Sequence, residues 1–471
     1  MTETSPIVAS SPPRPMPHPP YRLPLLGDVF TTDFAKPCQK LAQQARDLGP
    51  VFEQKLFGYP AIIVTGTRAI EECNDETQWE KHVGHSLMKL RPLAGDGLFT
   101  AFNREPNWAK AHNILAPAFT KTAMSNYHAT IVGTVRELTD AWRSRPDSWI
   151  DIAAQSNKLT FEIMSRAGFS HSFGSLSDPD QDPFVTAMVR ELAYANRRTD
   201  VLPWFERIFR RQRTHQHRKD MVHAHRVVDS IIEARRARTG AGHLDLLDTM
   251  LDGVDPQSGE SLDSTNIRHQ ILTFLAAGSE TSANTIAFAL HYLSTHPHIA
   301  DGVRSELDNR WPSAPFPDIG FEDVPRLRSL RRVVDETLRL WPTAPGYFRR
   351  AKQDTTLCEG TYRFQEKDWV LVLLLAAHRD LAWGADADEF NPDRFLPDNM
   401  RSLPPRIYKP FGTGARACIG RQFAHQEIMV TLAAILHQFD LEPDPHYRLD
   451  VRESLTLKPA GLQLRLHPRR M

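Results

Sequence analysis

Residues 411–420 read Phe411-Gly412-Thr413-Gly414-Ala415-Arg416-Ala417-Cys418-Ile419-Gly420, three glycines and one cysteine within ten residues. A helical pattern runs on from about Ile419 to Phe439, so the cysteine falls at a helix N-terminus, where the dipole and free backbone N–H groups stabilise a thiolate. Glycines at 412, 414 and 420 are expected to let the backbone bend tightly and approach a flat ligand closely. Alone, such a loop could equally cradle a phosphate or be a chance turn, and a lone cysteine is often an apolar filler.

Three further constellations carry chemical groups. Ala277-Gly278-Ser279-Glu280-Thr281-Ser282 sets an acid beside an alcohol in an otherwise apolar stretch. Its glycine and hydroxyls are expected to weaken one helical turn by competing for backbone carbonyls. Glu336 and Arg339 lie at i, i+3, the spacing of a helical ion pair. Trp108 and His112 lie at i, i+4 and share one helical face.

The elements that must position these groups follow from periodicity. From about Ser264 to Thr295, Ile267, Ile271, Phe274, Leu275, Ile286, Phe288, Leu290 and Leu293 keep helical offsets and stop before Pro297. Some 30 residues at about 1.5 Å each cross a whole domain, so this helix runs through the core. Most of 105–300 is helical in spacing, whereas Ala61 to Thr65 and the Pro-interrupted region from Pro342 to Pro410 read as strands and loops. The expected class is mainly α with a small β subdomain, an α+β fold. An arginine run (Arg197, Arg198, Arg207, Arg210, Arg211, Arg213, Arg235, Arg236) reads as a solvated helical face and is assigned no function.

Bulk properties exclude several classes. The chain has 471 residues with 57 Lys plus Arg against 57 Asp plus Glu, so no global field favours nucleic acid or an anionic membrane. Four scattered cysteines (Cys38, Cys73, Cys358, Cys418) do not build a disulfide framework and suit a reducing compartment. The longest apolar run, Val370 to Ala377, has eight residues, far below the roughly 20 that span a bilayer. A soluble, cytoplasmic, monomeric protein is expected, with residues 1–20 a disordered Pro-rich tail and 21–471 one domain.

Phe411 to Gly420 fits F-G-x-G-x-R-x-C-x-G, and in this the chain resembles the cytochrome P450 family. Glu336-Thr337-Leu338-Arg339, Phe390-Asn391-Pro392-Asp393-Arg394-Phe395 and Ala277 to Thr281 match further motifs of that family, in order. The resemblance implies haem b, iron protoporphyrin IX, between the long central helix and the cysteine loop. Cys418 is then the iron ligand, Phe411 shields its sulfur, Gly412 shapes the loop and Arg416 pairs with a haem propionate. Thr281 hydrogen-bonds dioxygen at the iron and Glu280 relays protons. Glu336, Arg339 and Arg394 form a structural cluster, and Trp108, His112, Lys81 and Arg349 extend the propionate contacts.

Gly95-Asp96-Gly97-Leu98-Phe99-Thr100, Asn107 to Phe119, Leu340 to Pro345 and Leu455 to Pro459 are similar to the bacterial fatty-acid hydroxylases whose haem domain is fused to a flavoprotein reductase. A haem domain standing without that reductase is expected, and the resemblance then implies electrons from NAD(P)H through a reductase and a separate ferredoxin or flavodoxin, docked near Lys110, Arg406, Lys409 and Arg421. The Arg and Tyr that anchor a carboxylate in that branch correspond to Tyr59 and Ile63. The positions expected to line the pocket are Tyr59, Leu87, Leu90, Ala94, Phe99, Phe102, Ala277, Ala344, Tyr347, Phe348 and Leu455. Their aromatic character suits an aromatic-bearing guest in specialised-metabolite biosynthesis, oxidised by hydroxylation or oxidative ring closure. The alternative is a hydroxylase of fatty acids or other lipids. A peroxygenase would replace the acid–alcohol pair, and a haem sensor would lack it.

Overall fold

The protein is described by a computed structural model covering residues 15–176, 182–195, 203–238, 245–312 and 315–469, with side chains from 215 onward in the third of these stretches. Its helices are α1 (Pro37–Leu48), α2 (Thr67–Cys73), α3 (His85–Ala94), α4 (Pro106–Leu115), α5 (Met124–Arg143), α6 (Ile152–Phe169), α7 (Pro183–Ala195), α8 (Pro203–Arg236), α9 (Leu246–Asp252), α10 (Ser264–Thr295), α11 (Pro297–Arg310), α12 (Arg328–Leu340), α13 (Leu374–Ala377), α14 (Pro397–Ser402) and α15 (Arg421–Gln438). Its strands are β1 (Val51–Leu56), β2 (Tyr59–Val64), β3 (Trp79–Lys81), β4 (Trp149–Asp151), β5 (Gly346–Ala351), β6 (Thr355–Leu357), β7 (Tyr362–Phe364), β8 (Trp369–Leu373), β9 (Phe439–Pro443), β10 (Val451–Glu453), β11 (Leu457–Pro459) and β12 (Gln463–Pro468). The class is the expected one, mainly helical with small sheets.

Contacts divide the chain into two compact units, each gathered from three separate stretches, which is why no composition break marks either. The first holds Met1–His82, Gly346–Ala387 and Pro404–Arg416. Its sheet has the order β1-β2-β8-β5-β3. Only β2 and β8 run parallel, with Ile62 opposite Val370, and the other neighbours are antiparallel. Val51, Val64, Ile70, Trp79, Val370 and Val372 form the buried core beneath it. Of the expected tail, residues 1–14 lie outside the described residues, while the Pro17 carbonyl already accepts the Glu53 N–H of β1 at 2.8 Å.

The second unit holds Val83–Pro345, Asp388–Leu403 and Ala417–Met471. α15 is buried on every side from Gln426 to Gln438, as the nearly unbroken apolar run from Ile428 to Leu436 requires. α10 starts at Asp263, whose carboxylate accepts the Asn266 N–H at 2.8 Å as an N-cap. The weak turn expected at Gly278 is absent, because the helix runs unbroken from Ser264 to Thr295. Close packing explains the glycine instead. A Cβ there would lie 2.6 Å from the Met164 Cε of α6, so the missing side chain lets the two helices approach. Of the arginine run, only Arg235 and Arg236 have described side chains. Arg235 is not a solvated residue but pairs with Asp245 and Asp248 at 2.8 and 2.5 Å.

Candidate active site

α10 is buried from Gln270 to Leu275 and again from Ser282 to Leu290, yet between them Ala276, Ala277, Gly278, Glu280 and Thr281 are only half-buried. A core helix thus opens a window on its middle turn, and the window carries the acid–alcohol pair. Thr281 Oγ1 donates to the Ala277 carbonyl at 2.8 Å, Thr285 Oγ1 to the Thr281 carbonyl at 2.9 Å and Thr160 Oγ1 to the Ser279 carbonyl at 2.9 Å. Each carbonyl therefore has a hydroxyl partner within the helix groove or from α6.

Two segments of the same unit bracket the window. On the N-terminal side the loop after α3, beginning Gly95-Asp96-Gly97, lies along α10, with Leu98 N–H donating to Gln270 Oε1 at 3.0 Å. On the other side Asn284 Nδ2 donates to Thr456 Oγ1 at 3.1 Å, and Leu457 N–H to the Thr343 carbonyl at 2.9 Å. These bonds bring Ala344 and Leu455 to α10 one turn beyond Thr281. Leu90 and Ala94 of α3 are buried, Leu87 and Leu455 half-buried, and Ala344, Phe99 and Phe102 exposed.

Cys418 precedes α15 by three residues and is exposed as a residue, although its sulfur is largely desolvated. Desolvation pushes the thiol pKa up, while the Gly420 N–H and the Arg421 charge pull it down. Glycine freedom is required at Gly412 and Gly414, with φ of +69° and +72°. A Cβ on Gly414 would also lie 2.2 Å from Glu76 Oε1. Gly420 corrects the sequence reading, since its φ of −81° is open to any residue. Sequence reasoning missed Glu76, which accepts the Ala415 N–H at 2.9 Å and ties down the glycine loop; no local pattern marks it.

Basic residues expected at propionates separate into two kinds. Burial above all, and then the Arg416 charge, push Lys81 down to about 7. Arg349 instead donates Nε to the Cys73 carbonyl at 2.9 Å and Nη2 to the Trp79 carbonyl at 3.0 Å. These donors clasp the backbone beside β3 rather than an external anion. Trp108 and His112 stack along α4 with ring centroids 5.1 Å apart. Phe411 and Gly412 are half-buried, and Gly412 N–H donates to the Lys409 carbonyl at 3.0 Å.

The expected structural cluster is assembled. Glu336 and Arg339, both 0% exposed, pair through Nε and Nη2 at 2.6 and 2.8 Å. Arg394 Nε lies 3.4 Å from Glu336 Oε1, and the Asn391 N–H donates to the same oxygen at 2.8 Å.

Other expectations need correction. Tyr347 and Phe348 cannot both line one pocket, because successive strand residues face opposite ways. Tyr347 packs on the first unit's core and donates its hydroxyl to Asn74 Oδ1 at 2.8 Å, whereas Phe348 sits edge-on to His82 and Trp369. Tyr59 is 81% exposed. Lys409 is no surface cation, being 4% exposed and paired with Glu71, with its pKa pushed down to about 8 by burial. Lys110 is paired with Glu260 at 2.5 Å. Arg406 and Arg421 remain exposed.

The sequence model described as cytochrome P450 matches residues 17–466. Bifunctional cytochrome P450/NADPH--P450 reductase 2 of Bacillus subtilis (strain 168) is 38% identical over 434 residues, 92% of this chain and 40% of that protein. Self-sufficient cytochrome P450 monooxygenase CYP505E3 of Phanerodontia chrysosporium is 34% identical over 96% of this chain and 42% of its own length. The chain therefore spans about two-fifths of the length of these curated relatives. A crystal structure of a cytochrome P450 (CYP102L1) superposes with a TM-score of 0.91 at 54% identity, covering 97% of this chain and 100% of that one. A match over nearly the whole chain in sequence and in fold leaves one assignment: this chain belongs to the cytochrome P450 family, whose cofactor is haem.

Proposed function

We propose that this protein is a haem-thiolate monooxygenase that hydroxylates an apolar lipid, a fatty acid or a related long-chain compound. The observation that carries the reading is the half-buried window on α10, which exposes Glu280 and Thr281 side by side in an otherwise buried helix. Among the described residues no helix is long and apolar enough to cross a membrane.

The donor chemistry fits haem. Cys418 lies ahead of a helix beside the Gly420 N–H and the Arg421 charge, which favour its thiolate against the desolvation that raises its pKa, and a bound metal ion would supply the charge that keeps a ligating thiol deprotonated. A carboxylate beside Lys81 would counter the burial and the Arg416 charge that disfavour its ammonium. Cys418 would hold the iron, while Lys81, Arg416, Trp108 and His112 would hold the propionates. Thiolate-ligated haem supplies dioxygen activation with two external electrons, favouring O–O cleavage.

The chain's own residues supply the rest. The Thr281 hydroxyl, whose proton goes to the Ala277 carbonyl, presents its oxygen at the window as an acceptor and becomes a donor there when it rotates off that carbonyl, and Glu280 on the adjoining position exchanges the protons that leave with water. Leu87, Leu90, Ala94, Phe99, Ala277, Ala344 and Leu455 exclude water from an apolar chain. An aromatic-bearing guest of specialised metabolism finds no support in the relatives' names, and the fused fatty-acid hydroxylases that the sequence resembles favour the lipid. Ile63, 1% exposed on β2, offers no polar group to a carboxylate, so chain burial rather than a charged anchor provides most of the affinity. Electrons come from NAD(P)H through a reductase of the kind that the bifunctional relatives carry by name.

The reduced carbon monoxide spectrum of wild type and Cys418→Ala tests the ligand, and conversion of dodecanoic acid and dodecane with a surrogate ferredoxin and reductase tests the substrate. Loss of the red-shifted thiolate Soret band in Cys418→Ala and hydroxylated products from wild type are expected. A retained band would overturn the ligand, and unreacted lipids the substrate class.

A further inference from the structure

The loop after α3 is fastened to α10 in an unusual way. Asp96 Oδ1 accepts from His269 Nδ1 at 2.7 Å and from Asn266 Nδ2 at 2.9 Å, and Asp96 Oδ2 accepts from Asn107 Nδ2 of α4 at 2.7 Å. His269 above all, then the two asparagines, hold the carboxylate well below its ordinary range. Two residues on, Leu98 N–H donates to Gln270. The glycines between have no room for side chains. A Cβ on Gly95 would fall 2.1 Å from the His269 ring, and one on Gly97 2.2 Å from Thr273 Oγ1 and 2.8 Å from the His269 carbonyl. Asn266, His269, Gln270 and Thr273 are spaced i, i+3, i+4 and i+7, a single stripe of the helix. That stripe continues one turn later into Ala277 and then Thr281.

The far end of the loop is closed separately. The Arg91 guanidinium grips both Glu105 oxygens at 3.0 and 2.5 Å, donates to the Thr100 carbonyl at 2.7 Å and lies 4.1 Å over the Phe102 ring. Between the two fastenings Phe99 and Phe102 stay 37% and 38% exposed. Rings this open gain little from burial, so the backbone that carries them has a large share in where they stand. Polar contacts to α10 are what keep the backbone in register with the window.

We propose that Asp96 and His269 form a clip that positions the Phe99-bearing loop against α10 and thereby sets which shape of guest the site accepts, a long flexible chain or a flat aromatic ring. Both are positioning residues acting through Phe99. The inference rests on the haem site proposed above, and its tests separate the two. Leu98 supplies a direct reporter, because its amide is protected only while the loop lies on Gln270.

The ferric holoenzyme is titrated with 1-dodecylimidazole and with 4-phenylimidazole, following the nitrogen-ligation shift of the Soret band, and Leu98 amide exchange is measured in parallel. In His269→Ala the ratio of the two dissociation constants is expected to change at least fivefold and Leu98 exchange to rise at least tenfold. His269→Asn, which keeps a donor at the Nδ1 position, should stay within twofold of wild type in both. Asp96→Asn retains one acceptor and should shift both readouts in the same direction, which secures the test if His269→Ala does not fold. An unchanged ratio and unchanged Leu98 exchange in His269→Ala and Asp96→Asn, or a His269→Asn variant as altered as His269→Ala, overturns the clip. A wild type that ligates neither azole instead refutes the haem site, while Leu98 exchange still decides whether Asp96 and His269 hold the loop.

Discussion

Arg339→Met leaves Glu336 buried without its main partner, and its effect can be worked through in advance. The pair is bidentate and neither residue is exposed. Burial already pushes the Glu336 carboxyl up, and Arg339 is the strongest influence pulling it back. Without the arginine, the cheapest response is to bind a proton. Neutralising a carboxyl of ordinary pKa about 4.3 at pH 7 costs about 3–4 kcal/mol at ~1.4 kcal/mol per unit. That cap agrees with the roughly 3–5 kcal/mol seen when one partner of a buried pair is removed. Arg394 at 3.4 Å and the Asn391 N–H at 2.8 Å recover part of it, so the cap is an upper limit. The folded carboxyl then has a pKa above the unfolded one, the folded state binds more protons, and stability falls as pH rises between the two values. At pH 5.5 the same neutralisation costs only about 1.5–2 kcal/mol. Urea unfolding of the ferric holoenzyme at pH 7.0 and 5.5 should therefore show a penalty, relative to wild type, that shrinks by about half at the lower pH. Glu336→Met combined with Arg339→Met should recover most of it. A penalty equal at both pH values, or a double variant no more stable than Arg339→Met, would refute the reasoning.

Thr281→Ala removes the hydroxyl at the window and should divert most NADPH consumption into peroxide; fully coupled turnover would count against its role. Gly97→Ala drives a Cβ into backbone and a buried hydroxyl of α10 and should cost about 1–3 kcal/mol by thermal unfolding. Gly278→Ala meets only the tip of Met164 and gains helix propensity, so its midpoint should stay within about 1 kcal/mol of wild type. Lys81→Met should speed haem transfer to apomyoglobin several-fold, whereas Arg349→Met should lower the thermal midpoint more than it speeds that transfer.

What the sequence made legible was local in the chain. The glycine loop ahead of a helix, the acid–alcohol pair and the Glu-x-x-Arg spacing are all written within ten residues, and their elements form where periodicity puts them. What it hid depends on partners far away. Gly278 reads as a weak turn until Met164 is seen against it. Lys409 and Arg349 read as available cations because the Glu71 carboxylate and the Cys73 and Trp79 carbonyls that occupy them lie about 270 or more residues off in sequence. Tyr347 and Phe348 were grouped by composition, although the strand sets them on opposite faces. The clip on α10 was quoted as Gly95 to Thr100 for its likeness to other chains, without the helix stripe that explains both of its glycines.

The sheet of the first unit has a consequence for biosynthesis. β2 and β8 are neighbours, yet roughly 300 residues separate them, a synthesis interval of about 15–60 s at typical elongation rates. Throughout that interval the early hairpin of β1 and β2 leaves the ribosome with one edge unsatisfied, inviting other strands to add to it. Closing so large a loop is also slow on entropic grounds. Shielding that waiting edge until residue 373 arrives should therefore raise the yield of folded protein in a cell, even where the strength of its core is unchanged.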